Sequence, residues 1–292
     1  MTLNPQNGTK KEHFVPQFYM ANFSIPGERG IVYSLEATAI NPRPKKMAVS
    51  GLCVCDDLYE SKYDNKYILH NETEHSFSRY ETGQKMLVDK IINISNNSAN
   101  INSALVLRKS EKEMLFQFIA QLYLRNKSIY QQMYNSLKCQ SDGSGNEWKR
   151  FMDSFLKQAY NRTIISTSDG EHEEFQTKDI CEYLNTLRYQ FCYTKEIFIT
   201  SNVPVAVFSV ADEEVQEIWV PLAPHVGILF SSRRRLSVNN RLIDHTLSTE
   251  ELNRRIYLAP IATHSDSVLL IASEGKILQK LYQKTSTEPQ KL

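Results

Sequence analysis

The chain has 292 residues, 34 Lys+Arg against 33 Asp+Glu, a net charge of +1 and 41% hydrophobic residues. Such a balance describes a globular chain with a real core, and it excludes one kept disordered by its own charge. It also excludes a whole-molecule field for polyanions, so any nucleic-acid or acidic-lipid site has to be a local patch.

No apolar run approaches the ~20 residues of a membrane span. The opening MTLNPQNGTKKEHF lacks the apolar core of a secretory signal. Five cysteines, an odd number, do not read as a disulfide framework. The expected setting is the cytoplasm, with reduced thiols and no membrane. Cys53 and Cys55 form a C-x-C pair without a second pair at zinc-finger spacing, so buried small apolar residues compete there with a structural zinc site.

In chain order, residues 1–11 read as a flexible polar terminus. EHFVPQFYMANF (12–23) then gathers His13, Pro16 and four aromatic side chains with Gln17 and Asn22. IVYSLEA (31–37) alternates as a strand, and MAVSGLCVCDDLYES as a weaker extended segment. NETEHSFSRYETGQKMLVDKIIN is helical, with Asn71 as a cap and Phe77, Tyr80, Gln84, Leu87, Val88 and Ile91 at helical spacing. Glu74 and Glu81 lie two turns apart on the face that carries Phe77 and Val88.

SEKEMLFQFIAQLYLRNKSIYQQMYNSL (110–137) is predicted as one helix with a Ser110/Glu113 capping box. Leu115, Phe118, Ile119, Leu122, Ile129 and Met133 form its stripe. Arg125 belongs to that stripe, and Gln121 lies one turn before it. QSDGSGNEW reads as a loop, and NEWKRFMDSFLKQAY and TKDICEYLNTLRYQF as further helices. From about residue 195 the character changes: EIFITSNVPVAVFSV, EIWVPLAPHVGILFSS and SVLLIAS read as strands with Pro near their ends. STEELNRRIYLAPIAT intervenes as a helix capped by Ser248 and Glu251. The fold expectation is α+β. A central helical bundle (about 71–192) packs against a mainly antiparallel β-sheet built largely from the C-terminal third (about 195–275). The whole is a single domain over 12–283, with a flexible tail at 284–292.

Phosphate-loop, dinucleotide, nucleophile-elbow and zincin signatures are absent from the sequence. His172-Glu173-Glu174 carries the His-x-Glu of zinc deaminases without its cysteine partner, and reads as a solvated loop. Polar groups on apolar faces point elsewhere. His13 with Gln17 is a general base, a metal ligand or a hydrogen-bonded plug. Glu81, with Glu74, needs a partner, and Arg125 is the obvious one. This is either a structural Arg–Glu bridge, or a carboxylate base or metal ligand beside an anion clamp. TSNVP (200–204) and VPLAP (220–224) are cleft edges or ordinary turns. Arg233, Arg234, Arg235 and Arg241 are a phosphate-holding patch or a solvated turn.

HFVPQFYMANF resembles the opening His-[Tyr/Phe]-Val-Pro-Gln-x-Tyr motif of the bacterial proteins classed as domain of unknown function 4238. DLYESK, TEHSFSRYETGQKMLVDKI, FIAQLYLRN, FITSNVPVAVF with WVPLAPHVGILF, and ELNRRIYLAPIATHSDSVLLIAS resemble its later segments in order, from about residue 12 to 275. The resemblance implies positions more than chemistry. Where the family pattern has Asp after Ser, this chain has Asn202, and Val203 replaces the next Asn. An acid–base or metal role for that Asp would be lost here.

Two expectations follow. One is a hydrolase with His13, Glu81 and Arg125 as catalytic residues and Gln17, Gln121, Asn202, Arg233 and Arg234 as substrate-binding residues. It would be a nuclease or a nucleotide-directed effector of bacterial anti-phage defence, acting on nucleic acid or a nucleotide with a divalent metal, Mg²⁺ or Mn²⁺. The other is a non-catalytic binding protein in which His13, Glu81 and Arg125 are a buried structural network. Oligomeric state is not legible.

Overall fold

A computed structural model describes residues 11–63, 66–68, 72–97, 106–140, 156–157, 160–165, 176–210, 215–232 and 248–287. The architecture is α+β, as expected, and every paired strand in it is antiparallel. β1 (Lys11–His13) pairs with β4 (Val54–Asp56). β5 (Ser61–Tyr63) pairs with β6 (Lys66–Ile68). One four-stranded sheet has the order β7 (Arg188–Tyr193), β11 (Val226–Ser231), β10 (Val215–Ala223), β9 (Ala206–Val210). The other has the order β3 (Lys45–Ala48), β2 (Ile31–Glu36), β12 (Leu269–Ala272), β8 (Thr200–Ser201). There are thus two larger sheets rather than one. The second takes β2 and β3 from the first fifty residues, so it is not a product of the C-terminal third alone.

Among the described residues the helices with defined bounds are α1 (Gln17–Ala21), α2 (Glu72–Asn97), α3 (Lys109–Leu124), α4 (Lys127–Gln140), α5 (Gln176–Thr186), α6 (Thr249–Ala262) and α7 (Gly275–Thr287), and residues 156–157 and 160–165 are helical as well. Strand alternation explains how they are placed. In β10 and β11, Ile218, Val220, Leu222, Ile228 and Phe230 enter one core with α2, α3 and α5, while Trp219 and Leu229 enter a second with α6 and α7. Both faces are covered, which is why VGILFS reads as a continuous apolar run. Phe116 of α3 meets Phe230 edge-on at 5.3 Å, and Trp219 meets Phe198 at 4.9 Å on the other face.

Several expectations need correction. The helix predicted over 110–137 breaks at Arg125–Asn126, because Asn126 Oδ1 accepts from the backbone N–H of Ser128 (3.0 Å) and Ile129 (3.3 Å) and so caps α4. The start of α3 is held by Glu111 reaching back to the Arg108 N–H at 2.9 Å, not by Ser110 and Glu113. The helix read through TKDICEYLNTLRYQF stops at Thr186, and its last residues become β7. The amphipathic α7 had no counterpart in the sequence reading and runs past residue 283 to Thr287. Lys11, assigned to the flexible terminus, is in β1. The Asn71 cap, the QSDGSGNEW loop after its first residue (Gln140, which ends α4), most of the following helix, His172–Glu174 and Arg233, Arg234, Arg235 and Arg241 lie outside the described residues.

The opening motif ties these layers together. Buried Tyr19 donates its hydroxyl to Pro221 O at 2.7 Å and lies 2.8 Å from Thr200 Oγ1, joining α1 to both larger sheets. Asn22 Nδ2 donates to Leu222 O at 3.1 Å. The aromatic half of EHFVPQFYMANF is therefore a satisfied structural plug. His13 and Gln17, at its start, face a different environment.

Candidate functional site

His13 ends β1 opposite Val54, and after Pro16 the chain turns into α1, whose first residue is Gln17. Two turns of α2 separate Glu74 from Glu81, with Phe77 between them on the buried side. Arg125 caps the C-terminus of α3. Its guanidinium lies 3.9 Å from the centre of the Phe77 ring, a cation–π contact in a site where Arg125 is only 2% exposed.

The guanidinium holds both the helix and the motif. Nη1 donates to Glu81 Oε1 at 2.7 Å, and Nη2 donates to the His13 carbonyl oxygen at 2.7 Å and lies 3.7 Å from Glu74 Oε2. Glu74 Oε1 in turn accepts the His13 backbone N–H at 3.2 Å. Both backbone polar groups of His13 are thereby clamped by an ion pair. Tyr59 supports the other side: its ring meets Phe77 edge-on at 5.5 Å and its hydroxyl donates to Arg125 O at 3.3 Å.

These groups border a half-open cavity of about 280 Å³, lined by Lys11, His13, Pro16, Gln17, Glu74, His75, Ser78, Glu81 and Arg125. Gln17 Nε2 lies 3.4 Å from His13 Nδ1. With the amide donating, Nδ1 is the acceptor and the ring proton sits on Nε2. Nε2 is buried without a well-formed hydrogen bond, although the Ser50 backbone favours the protonated ring.

Burial pulls the His13 pKa below its ordinary value, and Arg125 adds to the effect against Ser50 and Glu81, so the ring is neutral at pH 7. Burial pushes the Glu74 carboxyl up, against the pull of Arg125 and of the His13 N–H. Burial works against the charge of Arg125, but Tyr59, Glu81 and Glu74 outweigh it and its pKa rises. The arrangement offers a neutral imidazole as proton acceptor, a carboxylate fixed by a buried cation, and room for a small group beside them.

The structure brings together His13, Gln17, Glu81 and Arg125, with Glu74. It places two other candidates elsewhere. Gln121 Oε1 accepts from Gln84 Nε2 at 2.7 Å and its Nε2 donates to Ile165 O at 3.0 Å, so it is a packing link between helices. Asn202 Nδ2 donates to Ser265 Oγ (3.1 Å) and Ser267 O (3.0 Å), and its Oδ1 accepts from Leu269 N (3.0 Å). Asn202 therefore staples the loop after β8 to β12. No group of three or more His, Cys, Asp or Glu side chains is placed to hold a metal ion among the described residues. Cys53 is a buried core residue whose thiol is pushed up by burial.

Glu12 was missed by the sequence reading. It is wholly buried, Oε2 accepts the Tyr59 N–H at 2.8 Å, and Oε1 has no partner. Burial is the main cause that raises its pKa to about 8. A strand of three residues is too short for alternation to reveal its inward position. Lys11, His75 and Ser78 were also missed, because only the approach of β1 to α2, marked by the His13 N–H bond to Glu74, puts them at the pocket.

The two larger antiparallel sheets and their helical layers make an α+β protein, with a half-open pocket lined by His, Glu and Arg side chains beside β1 and α2. The chain belongs to the family described as protein of unknown function (DUF4238), whose model matches residues 11–259. The match takes in His13, Gln17, Glu74, Glu81, Arg125 and Asn202 and leaves α7 outside. No curated protein and no solved structure matches the chain significantly.

Proposed function

We propose that the protein is a hydrolase whose active site is the His13 pocket. His13 acts as general base through Nδ1, which the attacking water reaches by displacing the long Gln17 contact: it takes a proton from that water, the hydroxide attacks the substrate, and the imidazolium returns the proton to the leaving group. Glu81 stabilises the imidazolium, Gln17 orients the attacking water, and Arg125 is a positioning residue. A phosphodiester or nucleotide is the substrate class in this reading, with Lys11 as the cation at the mouth of the pocket. A nuclease or nucleotide-directed effector of bacterial anti-phage defence is its finer form. The donor set among the described residues does not favour a resident Mg²⁺ or Mn²⁺, so no step is routed through one. The geometry that carries the proposal is the His13 imidazole sharing a half-open pocket with a carboxylate that a buried arginine fixes, and burial favours the neutral ring.

A second reading is favoured by one fact. Nη1 and Nη2 of Arg125 are both committed within the protein, which suits a structural network in a non-catalytic binding protein. The deciding experiment incubates purified protein with DNA, RNA and nucleotides, with and without Mg²⁺ or Mn²⁺, beside His13→Ala. The hydrolase reading expects turnover that falls by about 100-fold or more in the variant. Equal turnover in both, or none with any substrate, leaves the binding reading.

A further inference from the structure

A second cleft, of about 370 Å³, lies between α6, α7 and the connection from β7 to β8. It is larger than the His13 pocket and shares no lining residue with it. Its volume falls within the range of small-molecule sites, roughly 300–1,000 Å³.

The cleft has a built wall. Asn253 of α6, itself buried, accepts from Ile199 N at 2.9 Å and donates to Ile197 O at 2.8 Å, which fixes the 197–199 backbone against the helix. On α7, Ile277 and Leu281 are one turn apart, and Leu281 is rooted in the second core. Ile197, Ile277 and Leu281 supply the apolar lining.

The charge at the cleft has one sign in excess. Glu250 and Lys284 are paired to each other. That leaves Lys195 and Lys280 with Glu196 among the lining groups; neither lysine comes within salt-bridge distance of an acid among the described residues, but Lys280 is near enough to Glu250 to help lower its pKa, and the three lysines and two glutamates of the lining leave one positive charge in excess. Both lysines are exposed, which keeps their ammonium groups in water at the cleft.

We propose that this cleft binds a small amphipathic anion. Its apolar body lies along Ile197, Ile277 and Leu281, and its phosphate or carboxylate head pairs with Lys195 and Lys280. A purely polar anion would leave the apolar wall uncovered. An amphipathic cation would meet a lining with positive charge in excess.

The test uses the full chain and isothermal titration calorimetry with four probes: octyl phosphate, octanoate, octylamine and inorganic phosphate. The two amphipathic anions bind, inorganic phosphate binds at least about tenfold more weakly, and octylamine does not bind. The Lys195→Glu/Lys280→Glu variant, altered only at exposed positions, keeps the wild-type melting temperature and loses at least about tenfold in affinity for octyl phosphate. Ile277→Asn also loses affinity for octyl phosphate, here with a lower melting temperature, because Ile277 packs against the second core. The proposal is overturned if no anion binds, if octylamine binds as well as octyl phosphate, or if the folded charge-reversed variant binds as tightly as the wild type.

Discussion

Arg125 Nη1 donates to Glu81 Oε1 at 2.7 Å from a side chain that is almost completely buried, while Glu81 keeps about a quarter of its side chain (27%) in solvent. A cation taken out of water is held by a carboxylate that still faces the pocket. Arg125→Ala leaves Glu81 and the His13 carbonyl without their donor and Glu74 without its ion-pair partner. It should lower the unfolding free energy by about 3–5 kcal/mol in urea titration. Arg125→Lys keeps the charge but loses the planar fork that reaches Glu81 and His13 together, and should lose a smaller but clear part of that stability. Wild-type stability in both variants would show that the ion pair holds nothing.

Glu12 gives a pH dependence of unusual sign. Its carboxyl is raised from 4.5 to about 8, chiefly by burial; Glu60 and Glu74 add to the rise, and the Tyr59 N–H and Lys157 oppose it. The folded state therefore binds more protons than the unfolded chain between those values, so stability falls as pH rises from about 4.5 towards 8 and then levels off. The loss over that window is on the order of a few kcal/mol. Glu12→Gln keeps an acceptor for the Tyr59 N–H and removes the ionisation. Denaturant melts at several pH values should show a flatter profile for the variant, with its largest gain over wild type near the upper end of the window. Glu74, raised in the same direction, keeps part of the slope.

Gly227 stands where a side chain has no room. A Cβ there would come within 2.2 Å of Trp219 Cη2, on the face of the sheet that packs on α6. Gly227→Ala has to displace a wholly buried indole and should destabilise by about 1–3 kcal/mol or more, read as a lower midpoint in urea. A neutral outcome would mean that the ring moves freely in its core.

Asn202 needs its amide. Asn202→Asp, the residue that the family resemblance places there, sets a carboxylate oxygen against the Ser267 carbonyl and removes two donated hydrogen bonds. The expected result is a loss of about 1–3 kcal/mol in unfolding free energy, with no change in turnover or ligand binding at the His13 pocket. A gain of activity in Asn202→Asp would contradict the structural role.

Much of the local structure was legible. Phe77, Leu87, Val88 and Ile91 mark the buried face of α2 as spaced, and an Arg125–Glu81 bridge follows from two charges on facing apolar stripes. What escaped was set by contacts distant in sequence. The pairing of β12 with β2 joins residues more than 230 positions apart, as Leu270 meets Leu35, and no local period encodes it. The break after Arg125 was readable in principle, since Asn126 followed by Lys-Ser-Ile is a helix-start signal, but the apolar stripe runs across it and masks it. Asn202 looked like a pocket residue because its strand end is polar. Its side chain is consumed by Ser265, Ser267 and Leu269, which lie more than sixty residues away.

The most direct check on a shared pocket is the titration of His13, followed by NMR of its imidazole in the wild type and in Glu81→Gln. The account predicts that His13 titrates below 6.5 and that neutralising Glu81, which favours the protonated ring while burial and Arg125 oppose it, moves the midpoint lower still. A midpoint at or above 6.5, or one indifferent to Glu81→Gln, would mean that the imidazole and the carboxylate do not share an environment.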